Sequence, residues 1–145
     1  MLKEYSTISL KEIDSVSILE LNRPEKLNAF NMQMLDDMLD AIDHINKNDN
    51  IKSLVITGSG RAFCAGADLS SGEKTFDKSF NTNEQYKSDF MRDAGGILNL
   101  KIYNSLKPVI AACNGDAVGI GATMQLPADV RIASKKSRFG FVFAK

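Results

Sequence analysis

Two stretches of this chain of 145 residues place small residues directly after a buried-strand pattern, a combination suited to main-chain chemistry. The first, Gly58-Ser59-Gly60-Arg61-Ala62-Phe63-Cys64-Ala65-Gly66-Ala67-Asp68-Leu69, follows Ser53–Thr57. The second, Asn114-Gly115-Asp116-Ala117-Val118-Gly119-Ile120-Gly121, follows Val109–Cys113. Glycine and alanine let a ligand approach the backbone closely. A helix start turns unsatisfied N–H groups outward and favours negative charge. Two such loops on adjacent strands could aim two N–H groups at one oxygen. That arrangement is an oxyanion hole, in which one donor is worth roughly 3 kcal/mol in the transition state. The same glycines would equally serve as plain turns, and the residues alone leave both readings open.

Other chemistries fit poorly. Gly58-Ser59-Gly60 is followed by Phe63, and Gly119-Ile120-Gly121 by Met124, so neither completes a dinucleotide fingerprint. No Gly-Lys-Ser/Thr loop and no Gly-x-Ser-x-Gly elbow occurs. Cys64 would be a nucleophile only with a base beside it. The single histidine, His44, lies late in a helical pattern, so Cys64 reads as a small packed residue. One His and two Cys, Cys64 and Cys113, are too few for a closed zinc site or a disulfide framework.

The elements that must carry the loops follow from periodicity. Thr7–Glu12 and Val16–Asn22 read as strands joined at Asp14-Ser15, with Arg23-Pro24 ending the second. Asn31–Ile45 reads as a helix: Leu35, Met38, Leu39 and Ile42 fall at i, i+3, i+4, i+7, and Met34 and Ile45 extend the stripe. Asn31 is its N-cap, with Asp36 and Asp37 set to favour the helix start. Ser70–Asn83 reads as a loop or lid, and Glu84–Leu106 as a long helix whose Gly95-Gly96 pair implies a kink or a close contact. Ala122–Leu126 reads as a helix start, and Val130–Ala133 and Arg138–Phe143 as strands. Alternating strands and helices give an α/β layered fold, taken as one domain over residues 1–145.

Composition narrows the function. Eighteen basic and 18 acidic residues leave a net charge of 18 − 18 = 0, with 43% hydrophobic and 25% charged residues. That excludes a disordered chain and argues against nucleic acid or a membrane surface as partner. No apolar run approaches the ~18 residues of a membrane span. The first ten residues, carrying Lys3, Glu4 and Ser6, do not resemble a signal peptide, so the expected location is cytoplasmic.

A family resemblance adds to this. Leu21-Asn22-Arg23-Pro24-Glu25-Lys26-Leu27-Asn28-Ala29-Phe30 resembles the opening signature of the crotonase superfamily, the enoyl-CoA hydratase/isomerase family. Arg61–Leu69 is similar to its first oxyanion loop, and Lys107–Gly115 with Gly119-Ile120-Gly121 to its second. Ala128–Ala133 and Arg138-Phe139-Gly140 complete the series in order and spacing. The resemblance implies a spiral of ββα units and acyl-CoA chemistry that stabilises a thioester enolate, with no cofactor beyond the coenzyme A of the substrate. It implies a homo-oligomer, a trimer or dimer of trimers, for the full-length form. It assigns the two oxyanion donors to the backbone N–H groups of Ala67 and Ile120, and the substrate channel to Lys26, Asn28, Ala65, Gly66, Asp68, Leu69 and Gly119.

The sequence also departs from that pattern. The two positions where hydratases of the family carry glutamates are Thr123 and Phe143 here, and neither can do carboxylate chemistry. Asp116 and Asp129 read as a loop turn and a structural cap. The chain stops at Lys145 after the apolar run Phe139–Ala144, so the C-terminal helical part is expected to be missing and apolar surface to be exposed. The alternative to an enzyme is therefore an acyl-CoA-binding or assembly fragment that keeps the loops and lacks the acid and base.

Overall fold

The computed structural model describes residues 3–70 and 93–143. The first strands are β1 (Ile8–Ile13) and β2 (Val16–Leu21), antiparallel with Ile13 opposite Val16. Asp14 turns the corner at φ +53°. A 3-10 turn, Pro24–Lys26, follows, with proline at a position that needs no N–H.

Helix α1 (Met32–Lys47) begins as its cap predicts: the Asn31 side chain accepts from the Met34 N–H at 2.8 Å. Its apolar stripe, Met34, Leu35, Met38, Ala41, Ile42 and Ile45, is buried, and α1 packs against β1, β2 and a later helix, α2 (Ala94–Tyr103). Asp37 does not serve the helix start. It is buried and accepts from the Thr7 N–H at 3.0 Å and the Thr7 hydroxyl at 2.7 Å, tying α1 to the chain entering β1.

The rest of the chain repeats one unit. β3 (Ser53–Gly58) is followed by a short strand, β4 (Ala62–Cys64), and, beyond the undescribed stretch, by α2 (Ala94–Tyr103). β5 (Val109–Cys113), β6 (Asp116–Val118) and α3 (Ile120–Thr123) repeat the order. β7 (Val130–Ala133) and β8 (Phe139–Gly140) begin it again. Each unit adds one strand to each of two sheets, ordered β1-β2-β3-β5-β7 and β4-β6-β8. Apart from β1, all pairings are parallel. This is the expected advance of ββα units.

Several boundaries differ from the sequence reading. β4 and β6 lie inside what reads as glycine loops, because strands of three residues are too short to show a period. The long helix expected over Glu84–Leu106 runs over Ala94–Tyr103, with Asp93 as N-cap accepting from the Gly96 N–H. Residues 84–92, and the lid reading beyond Ser70, lie outside the described residues. Gly95 and Gly96 thus fall in the first turn of α2, and a close contact explains Gly95: a Cβ there would lie 2.8 Å from Ile120 Cδ1. The helix after the second loop starts at Ile120 rather than Ala122, and the strand read as Arg138–Phe143 shrinks to Phe139–Gly140. Asp129 is the expected cap, accepting from the Val109 N–H at 2.7 Å. Asp116 is instead a β6 residue held by the Arg138 guanidinium at 2.6 and 2.9 Å. Val130, Ile132, Phe139, Phe141, Val142 and Phe143 are exposed.

Candidate functional site

The two glycine loops leave the small sheet side by side. In the parallel pair β4–β6, Ala62 lies opposite Asp116 and Cys64 opposite Ala117. The chains after these strands then touch. A Cβ on Gly66 would lie 3.4 Å from the Val118 carbonyl oxygen, and one on Gly119 3.8 Å from Gly66 Cα. Gly66 has φ +112° and Gly119 φ +56°, so both need glycine for backbone reasons as well.

Ala67 and Ile120 each follow one of these two glycines. Ala67 forms a parallel bridge with Phe30. The Phe30 N–H donates to the Gly66 oxygen at 2.8 Å, and the Asp68 N–H donates to the Phe30 oxygen at 2.7 Å. Bonding groups alternate along an extended chain, so the Ala67 N–H points away from Phe30. Ile120 opens α3 after Gly119 and its N–H has no acceptor within the helix. The structure therefore brings Gly66 and Gly119 together, with Ala67 and Ile120 the next residues along the two loops. Ala65, next to Gly66, is held to the segment after β2, where its N–H donates to the Leu27 oxygen at 3.0 Å.

Two asparagines hold the first loop. Asn28 accepts from the Arg23 N–H at 2.8 Å and donates to the Ser59 and Ala62 oxygens at 2.9 and 3.0 Å. Asn114 accepts from the Gly58 N–H at 3.0 Å and donates to the Gly60 and Ala62 oxygens at 3.1 and 3.3 Å. Asn28 was expected at the substrate. With 0% of its surface exposed, its side chain has nothing to touch a ligand with, and its work is to shape the loop. Leu27 and Asn28 both lie at positive φ, 52° and 55°, strain that these bonds offset. The internal bonds of an asparagine are not legible in sequence. A polar residue beside a left-handed turn is the one available signal.

The Asp68 side chain is taken up by Arg23 and Ser70. Its carboxylate meets Arg23 Nη2 at 2.9 Å and accepts from the Ser70 N–H at 3.0 Å. Arg23 also donates to the Ala29 oxygen at 2.5 Å. The pair is poorly exposed, with side chains 15% and 11% accessible. Hydrogen bonds from Ser70, and then the Arg23 guanidinium, pull the Asp68 carboxyl down to about 2 from its ordinary 3.8. Because the folded value lies below the unfolded one, the stabilisation is complete above about pH 3.8 and is lost as pH falls toward 2. Thermal melts of the parent and of Asp68→Asn should therefore differ at neutral pH and converge in acid. A gap that persists unchanged in acid would contradict this.

Lys26 is exposed in the 3-10 turn, and Leu69, 63% exposed, stands just beyond Ala67. Thr123 donates its hydroxyl to the Ile120 oxygen at 3.4 Å, and Phe143 is 67% exposed. Cys64 is a packed residue, as read: burial pushes its thiol up to about 11, against any role as a nucleophile. His44 is elsewhere, 3.6 Å from Glu12. Among the described residues, no group of three or more His, Cys, Asp or Glu side chains is placed to hold a metal ion, and no helix is long and apolar enough to cross a membrane.

Known proteins resemble this chain in sequence and in fold. A sequence model of the family described as enoyl-CoA hydratase/isomerase matches residues 11–145. An enoyl-CoA hydratase from Alternaria alternata is 40% identical over 134 residues, spanning 92% of this chain and 43% of that protein. The 1,2-epoxyphenylacetyl-CoA isomerase of Escherichia coli K12 is 36% identical over 138 residues, spanning 90% of this chain and 48% of that protein. Among solved structures, an enoyl-CoA hydratase from Mycobacterium avium subsp. paratuberculosis K-10 superimposes with a TM-score of 0.79 at 25% identity, over 98% of this chain and 52% of that one. The chain spans about half the length of the relatives it matches.

Proposed function

The chain belongs to the enoyl-CoA hydratase/isomerase family, and from that we propose that it forms the acyl-CoA site of such an enzyme, with the Ala67 and Ile120 N–H groups polarising the thioester carbonyl. The observation that carries the reading is the close approach of Gly66 to Gly119, each directly preceding one donor. Donors fixed by the fold cost no reorganisation as negative charge develops on the oxygen. Ala65, Gly66 and Gly119 supply the narrow main-chain wall, and exposed Leu69 an apolar side for the acyl chain. Lys26 is free to meet a phosphate of coenzyme A from the turn. No cofactor is needed beyond the coenzyme A of the substrate. The family resemblance alone adds a trimer or dimer of trimers for the full-length form, a cytoplasmic location and a role in fatty acid metabolism.

Calorimetric titration with a CoA thioester tests this: the parent should bind, and Gly66→Val should not. Valine at φ +112° is strained, and its branches would enter the gap facing Val118. Retained affinity in a folded Gly66→Val variant would direct the search to another site.

A second reading has its own support. The carboxylates described on the two loops, Asp68 and Asp116, are both paired with arginines, Arg23 and Arg138. Both are held below the ordinary carboxylate value, by Ser70 and Arg23 for the one and by Arg138 for the other. Neither is suited to give up a proton as a general acid near neutrality. Together with Thr123 and Phe143, this favours a binding fragment whose acid and base lie elsewhere. Loss of the conjugated thioester absorbance when a short enoyl-CoA is added to this chain would exclude that reading.

A further inference from the structure

We propose that the Arg23–Asp68 ion pair is a positioning device for the Ala67 N–H, holding it at the angle from which a bound thioester carbonyl can accept. The inference rests on the oxyanion reading of the loops given above. Its ground is the route by which Ala67 is held. The direction of the Ala67 N–H is set by the bridge to Phe30, which bonds the peptides on either side of Ala67. One guanidinium spans that bridge. Arg23 Nη1 donates to the Ala29 oxygen, next to Phe30, and Nη2 donates to Asp68, next to Ala67.

The anchor is fixed in turn. The Arg23 N–H donates to Asn28, whose amide grips the Ser59 and Ala62 oxygens of the first loop. Rotation of the peptide carrying the Ala67 N–H would break the Phe30 N–H bond to the Gly66 oxygen and pull against the charge-assisted Arg23–Asp68 pair that braces the bridge. The planar fork of arginine matters, because one side chain must donate along two directions at once, which a lysine ammonium does less rigidly. The depressed Asp68 carboxyl agrees with a charge held in place across the working pH range.

The test is infrared difference spectroscopy on the full chain with butanoyl-CoA labelled with carbon-13 at the thioester carbonyl. Hydrogen bonding to the carbonyl lowers its stretching frequency on binding. The parent should show that downshift. Asp68→Asn and Arg23→Lys, both close in volume to the residues they replace, should lose most of it while binding free coenzyme A as the parent does. A merely structural pair would lower the melting temperature and leave the carbonyl frequency alone. Folded variants that keep the full downshift overturn the proposal. So does failure of both variants to fold, which would make the pair a folding element. Absence of a downshift in the parent is a different result: it removes the oxyanion reading on which the inference stands.

Discussion

Asn28→Ala is expected to lower the melting temperature by about 10 °C or more, the largest loss of stability from any single polar substitution near the site. Removal of the side chain leaves the Arg23 N–H and the Ser59 oxygen without the partner they have now, and deprives the Ala62 oxygen of one of its two donors. Unsatisfied buried groups cost about 1–3 kcal/mol each. Alanine at φ +55° adds backbone strain that asparagine tolerates better. The total is on the order of 3–5 kcal/mol, against the roughly 5–15 kcal/mol by which such domains are stable. Asn28→Gly separates the two causes, since glycine accepts the backbone angle but makes none of the bonds. It should recover the strain portion alone. Thermal and urea denaturation of the three proteins would decide the matter, and an Asn28→Ala melt matching the parent's would refute the clamp.

The second large effect is expected at Gly121. A Cβ there would lie 2.2 Å from the Cys64 oxygen, 2.8 Å from Cys64 Cβ and 3.0 Å from Cys64 C. Two of these are main-chain atoms, so no rotamer change relieves the contact. The start of α3, which carries the Ile120 N–H, has to move away from β4. Gly121→Ala should therefore cost about 1–3 kcal/mol of stability and abolish thioester binding as well. Gly140→Ala is the matched control. Its Cβ would meet Val118 at an ordinary 3.6 Å, and stability should stay within about 0.5 kcal/mol. Calorimetry and denaturation on both variants check the pair. Full thioester affinity in Gly121→Ala would mean that the two loops need not be in contact to make the site.

Helix α1 was legible because its burial follows from spacing alone. Apolar residues at i, i+3, i+4 and i+7 must form one stripe, and a stripe must be covered. β5 and β7 were legible for a related reason: a short, mostly apolar run bounded by polar residues or proline has few alternatives to a strand. β4 and β6 were not, since three residues carry no period and only a partner sheet makes them strands. The start of α2 had a local signal that the sequence reading did not use, Asp93 ahead of Ala94.

The candidate site divides along the same line. The family resemblance singled out the loops around Gly66-Ala67 and Gly119-Ile120, because small residues at a strand end leave a plain turn open as well. Which side chains face a ligand was a different matter. Asn28 and Asp68 carry the polar groups one would assign to a substrate, yet one is fully buried and the other is turned toward Arg23. Arg23 and Asp68 are separated by 45 positions, and local chain physics has no range over such a distance. Their meeting depends on the segment after β2 lying along the first loop, through the Ala65–Leu27 hydrogen bond and the Phe30–Ala67 bridge. Local energetics thus set where the chain turns and which faces are apolar. Long-range packing set which polar groups satisfy one another, because a buried hydrogen bond takes whichever partner the assembled fold brings within reach.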